Sequence, residues 1–101
     1  MKQLVDFNVA KLLKEKGFNE HCIYYYDNNG KLYGMFPIFQ NSRPRCSKLG
    51  YACCNSHLAI RWLKEVAHCN ITEDTKNMSD KALNTLILKQ LKRIKRVDGM
   101  I

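Results

Sequence analysis

The stretch Asn55–Asn70, NSHLAIRWLKEVAHCN, constrains this chain most. It holds the only tryptophan, and its spacing predicts an amphipathic helix over 55–70. Ala59, Trp62, Leu63 and Val66 recur at helical intervals and share one face, with Arg61, Lys64 and Glu65 on or near the other. Asn55 or Ser56 can cap the start, because a short side-chain oxygen accepts a bond from a first-turn N–H. His68 and Asn70 suit the end. A buried indole is the largest apolar surface available here, so a sheet or a second helix is expected over Trp62.

What can surround that helix is limited by a length of 101 residues, which gives one domain with a small core. An apolar fraction of 46% is that of a globular chain and excludes general disorder. The net charge of +8 is unevenly spread. Residues 1–80 carry 11 Lys/Arg against 8 Asp/Glu (+3), and residues 81–101 carry 6 against 1 (+5). Such a tail either attracts an anionic partner or forms a solvated helix face. No apolar run follows Lys2, and Asp6 and Asn8 interrupt the N-terminal segment, so a signal peptide is not expected. No stretch is long and apolar enough to span a membrane. The expected location is the cytoplasm, where the five cysteines stay reduced and the sequons at Asn70 and Asn77 carry no glycan.

Residues 6–18 predict a short helix. Asp6 or Asn8 caps its start, Val9, Ala10, Leu12 and Leu13 form its apolar face, and Gly17 supplies the left-handed residue that ends it. Phe18 then packs back on Leu13, the contact that accompanies a Schellman ending. Residues 22–36 predict a β-hairpin: Cys22–Tyr26 out, a turn at Asp27–Gly30, Lys31–Phe36 back. Alternation puts Cys22, Tyr24 and Tyr26 on one face and Ile23 and Tyr25 on the other; either face can meet the Trp62 helix. Pro37 ends the strand or holds it at an edge. Residues 37–55 are the least regular, with Ser42-Arg43-Pro44-Arg45 a loop on composition and Leu49–Cys54 a short third strand. Residues 71–78 form a polar connection to a last helix, Asp80–Val97 within 79–98, capped by Ser79. Its stripe is Leu83, Leu86, Ile87, Leu91, Ile94 and Val97, and Gly99 stops it. The stripe either grips a partner or closes the domain's own core.

The residues able to do chemistry are His21, Cys22, Cys46, Cys53, Cys54, His57, His68 and Cys69. A structural zinc site needs two well-spaced ligand pairs, and only Cys54-x-x-His57 qualifies, so buried inert thiols are expected and no metal. The same pair at a helix start resembles a Cys–His nucleophile, but no oxyanion loop or orienting acid accompanies it. There are no paired catalytic carboxylates, no phosphate loop and no dinucleotide fingerprint; a non-enzymatic protein without a cofactor is expected. Candidate nucleic-acid contacts are Arg43, Arg45, Lys89, Lys92, Arg93, Lys95 and Arg96, with Tyr24, Tyr25, Tyr26 and Tyr33 available to stack on bases or simply to pack the sheet.

The order of these pieces resembles a family of small uncharacterised proteins of Bacteroides-type bacteria and their phages and prophages. Ala10–Phe18 (AKLLKEKGF), Cys22–Tyr26, the Asn29-Gly30-Lys31 turn, and Ala59 with Trp62–Val66 carry the resemblance, which covers roughly the first 70 residues. The family places Ser-Ala-Pro-Thr before its second helix where this chain has Cys54-Asn55-Ser56-His57, and further strands before its last helix that are missing here. A sheet so shortened leaves an exposed edge that invites self-association. The resemblance implies a phage or mobile-element setting in a bacterial cytoplasm and brings no catalytic residue.

The expected architecture is a small α+β domain of helix, β-hairpin, possible third strand, Trp-bearing helix and basic C-terminal helix. The expected function is that of a non-enzymatic accessory protein binding another protein, with nucleic-acid binding through the basic C-terminal helix as the alternative.

Overall fold

A computed structural model describes residues 3–34 and 37–97. Its centre is the tyrosine-rich strand. β1 (Tyr24–Asp27) lies between β2 (Leu32–Tyr33) and β3 (Gly50–Cys53), antiparallel to both, in the order β2-β1-β3. Tyr25 pairs with Tyr33 on one side and Ala52 on the other; Tyr26 pairs with Leu32 and Tyr51. The turn is closed by Asp27, whose Oδ1 accepts from the N–H groups of Asn29 and Lys31. Gly30 takes the left-handed position at φ +86°.

α1 (Phe7–Glu15) crosses one face of this sheet. Asp6 caps it through a 2.9 Å bond from the Val9 N–H, and Val9, Ala10 and Leu13 are buried. Phe7 meets Tyr26 and Tyr51 at ring separations of 5.5 and 5.8 Å. The helix ends in the expected Schellman motif: Gly17 sits at φ +98°, and the Gly17 and Phe18 N–H groups bond the Lys14 and Leu13 carbonyls. Phe18 then lies edge-on to Trp62, 5.6 Å away, so α1's ending covers the indole.

α3 (Ser56–Glu65) carries that indole, with Asn55 as the cap accepting from the His57 N–H. Ala59, Ile60, Trp62 and Leu63 are buried. The helix stops sooner than its spacing predicts, and Val66 is exposed rather than part of the apolar face. The chain leaves the helix there: His68 turns left-handed at φ +59°, and the Cys69 N–H, 2.8 Å away, takes the Leu63 carbonyl.

α4 (Asp80–Arg93), capped by Ser79, packs on α1 and α3 and buries Leu83, Leu86, Ile87 and Leu91. The connection before it is anchored by buried Ile71. The C-terminal helix therefore closes the domain's own core, and the chain is a single α+β domain.

Besides the end of α3, other expected boundaries differ: among the described residues the returning strand is Leu32–Tyr33 rather than 31–36, and the third strand Gly50–Cys53 rather than 49–54. Residues 44–49, read in part as loop, form a one-turn-and-a-half helix, α2 (Pro44–Leu49). Proline at the first helical position loses no hydrogen bond and arrives with its φ already set, and Cys46 is buried beneath the turn. The first strand starts at Tyr24, not Cys22; Cys22 instead bridges Phe39 through two backbone bonds of 2.8 and 2.7 Å. α4 ends at Arg93, not Val97: Ile94 is extended, and the Val97 N–H reaches the Lys16 carbonyl at 2.7 Å. The tail leaves the helix because the last turn of α1 offers unpaired carbonyls, which Val97 and Arg96 satisfy. Met35, Phe36 and Gly99, assigned above to the returning strand and the helix stop, lie outside the described residues.

Candidate functional site

The seven basic residues singled out by the sequence do not make one face. Lys89, Lys92 and Arg93 project from the last turns of α4, exposed, at helical spacings that place them side by side. Burial raises the Cys69 thiol, and the charge of the Arg93 guanidinium offsets part of that rise. Lys95 and Arg96 lie beyond the helix, not on it. Arg96 is drawn to the end of α1, where its Nη1 donates to the Glu15 carbonyl at 3.1 Å. Arg43 and Arg45 are on the far segment, at the start of α2.

Arg96 forms one wall of a cleft of about 1010 Å³ between the end of α1, the 41–47 segment and β3. Lys11, Lys14, Glu15, Ser42 and Tyr51 also line it. Three cations face one carboxylate, and each is held by a contact of its own. Lys14 Nζ donates to the Ser47 and Gly50 carbonyls, both at 2.9 Å, and lies 5.0 Å from the Tyr51 ring centre. Burial lowers its pKa. Lys11 Nζ rests 4.7 Å from the Phe7 ring centre. Lys11 and Lys14 were legible in the sequence only as the polar side of α1; the return of β3 and of the tail makes them cleft residues.

Arg43 and Arg45 line a second concavity, about 420 Å³, whose other walls are Pro37, Ile38 and Cys46. Arg43 Nε donates to Gln40 Oε1 at 3.3 Å. Ile38 is 40% exposed, and its neighbour Phe39, paired to Cys22, is fully buried. Ile23, next to Cys22 on the opposing segment, is likewise 41% exposed. Leu32 and Tyr33 on β2 are exposed as well, on opposite faces of the strand, so among the described residues the 23–38 segment carries most of the exposed large apolar side chains. Tyr25 and Phe39 stack at 4.6 Å beneath this surface, and Tyr25 stacks on Tyr33 at 5.1 Å. The strand tyrosines thus pack the sheet: Tyr26 donates to the Val5 carbonyl at 2.8 Å.

The thiols and imidazoles do not converge on a metal geometry: among the described residues no group of three or more His, Cys, Asp or Glu is placed to hold an ion. His57 bonds Gln3 through Nε2 at 2.7 Å, while Cys54 is buried with its thiol pushed well up by burial. The thiolate that a nucleophile needs is therefore disfavoured at Cys54. No helix among the described residues is long and apolar enough to cross a membrane.

Comparison with protein-family models, with curated proteins and with solved structures gives no match.

Proposed function

We propose that this is a non-enzymatic accessory protein of phage or prophage type that acts in a bacterial cytoplasm by binding another protein. The observation that carries the reading is the exposure of apolar side chains along the hairpin segment, where Ile23, Leu32, Tyr33 and Ile38 are each about two-fifths exposed, Leu32 and Tyr33 on opposite faces of β2, although the core is closed. Apolar side chains left outside a finished core are what a partner covers. The apolar stripe of α4 no longer serves this purpose, because Leu83, Leu86, Ile87 and Leu91 are spent inside the domain.

A second reading is favoured by the large cleft and the exposed end of α4. Lys11, Lys14 and Arg96 at the cleft, with Lys89, Lys92 and Arg93 beyond it, give an anionic polymer several contacts at once. Nucleic acid is that alternative.

Salt separates the two. Labelled random duplex and single-stranded DNA and RNA are titrated with the protein at low and physiological salt, beside a variant with Lys89, Lys92, Arg93, Lys95 and Arg96 changed to Gln. In parallel, a photo-crosslinking residue is placed at Leu32 or at the exposed control Lys64 in a Bacteroides-type host. The protein reading expects a discrete crosslinked protein from position 32, indifferent to nuclease, and none from position 64. Micromolar nucleic-acid binding that falls steeply with salt and is lost in the variant, with no crosslinked protein, replaces it by the second reading.

A further inference from the structure

We infer that the concavity between Arg43 and Arg45 is the anchor point for a partner segment that presents one apolar side chain flanked by carboxylates. The inference rests on the protein-binding reading and names the chemistry of the partner.

The floor is apolar. Pro37 and Ile38 are exposed, and Cys46 closes the bottom, itself 3% exposed with its Sγ against the Ile38 carbonyl. A volume of about 420 Å³ is at the small end of what encloses a ligand (roughly 300–1,000 Å³), enough for one large side chain and its neighbours. The rim is cationic: Arg43 and Arg45 are exposed and both reach the concavity. The Gln40 bond engages Nε of Arg43, and the guanidinium has further N–H donors on its two Nη groups. A guanidinium fork receives a carboxylate through two parallel bonds, which gives direction as well as attraction. Arginine beside a small apolar pocket is also the composition in which interface energy concentrates.

The charge pattern selects among occupants. A phosphate backbone would use the two arginines but leave Pro37 and Ile38 uncovered. A second copy of the chain would bring a net +8 against a net +8. An acidic segment with one apolar side chain satisfies floor and rim together.

The test selects short random peptides displayed on phage against the immobilised full chain, then measures the affinity of the enriched peptides by fluorescence anisotropy. Enriched sequences are expected to carry an apolar residue with Asp or Glu beside it. Their affinity should fall at least about tenfold in the double variant Arg43→Glu/Arg45→Glu and stay within a few-fold of wild type in Arg43→Lys/Arg45→Lys. Both positions are exposed, so the variants are expected to keep the wild-type thermal midpoint, which is checked by circular dichroism. Enriched peptides without acids, binding that Arg43→Glu/Arg45→Glu leaves unchanged, or a chain that dimerises through this face overturns the inference. Peptides lost instead in Leu32→Lys/Tyr33→Lys overturn the inference but keep the protein reading. No enriched peptide and no crosslinked protein end both.

Discussion

Single residues decide how the irregular middle of the chain is held. Asn41 is the main case. It is 6% exposed, donates from Nδ2 to the Phe18 carbonyl at 2.9 Å, and accepts at Oδ1 from the Ala52 N–H at 2.9 Å. One amide thereby ties the end of α1 to the outer edge of β3 and satisfies two backbone groups that water does not reach. Asn41→Ala leaves both unpaired, and a buried unpaired group costs about 1–3 kcal/mol. The variant is expected to lose at least about 2 kcal/mol by urea unfolding. Asn19→Ala, which removes an exposed acceptor from the Ser42 N–H, should lose less than about 1 kcal/mol. An equal effect of the two would show that Asn41 is not the tie. Nothing in the order of residues marks Asn41, because it bonds chain segments 23 and 11 positions away. Gly17 was legible, because its reason is local: a helix end needs the left-handed conformation. The second demand on Gly17 was not, since a Cβ there would stand 2.0 Å from the Val97 carbonyl oxygen, 80 positions on.

At the scale of elements, periodicity reported which side of a helix is apolar and not what covers it. α4 shows both halves of this. Leu83, Leu86, Ile87 and Leu91 are buried as the stripe predicts, whereas Ile94 and Val97 continue the same spacing after the helix has ended. The spacing runs on; the backbone is claimed by the carbonyls at the end of α1. α2 was hidden for the complementary reason, since six residues are too few to show a period, and Ser42-Arg43-Pro44-Arg45 reads as a turn until Pro44 is recognised as a first helical residue. Of the candidate site, Arg43 and Arg45 could be named from sequence, but Pro37, Ile38 and Cys46 join them only through the Cys22–Phe39 bridge and the α2 turn. The two faces of α4 separate experimentally. Ile87→Ala opens a cavity between α4 and its neighbours and is expected to cost about 2–5 kcal/mol. Lys89→Ala, on the exposed face, should stay within about 0.5 kcal/mol of wild type. Denaturant unfolding of both variants decides it; a small loss for Ile87→Ala would mean that α4 is not part of the cooperative core.

For the molecule as a whole, the cluster of buried thiols sets how stability depends on pH. Burial, with the charges of Cys53 and Glu20, pushes Cys22 from 9.0 up to about 12. Burial likewise raises Cys53 to about 12 and Cys54 well above its ordinary value. Tyr26, beside Cys53, is raised by burial in the same way. Below about pH 8 these thiols are protonated in both the folded and the unfolded chain and make no difference. Between about pH 9 and 12 the unfolded chain gives up its thiol protons while the folded chain keeps them. The unfolded state then binds fewer protons, so the free energy of unfolding falls as pH rises. Lys14, lowered by burial, acts in the opposite sense, but it is one group against four raised thiols, Cys69 included, and a phenol. The urea midpoint in reducing buffer is therefore expected to be level from about pH 6 to 8 and to fall continuously from about pH 9 upward. Cys22→Ala should lower the midpoint at pH 7 by removing core volume and yet make its alkaline decline shallower. A decline of unchanged steepness would mean that Cys22 contributes nothing to the alkaline sensitivity, and a midpoint level through pH 10 would mean that water reaches the thiols in the folded chain.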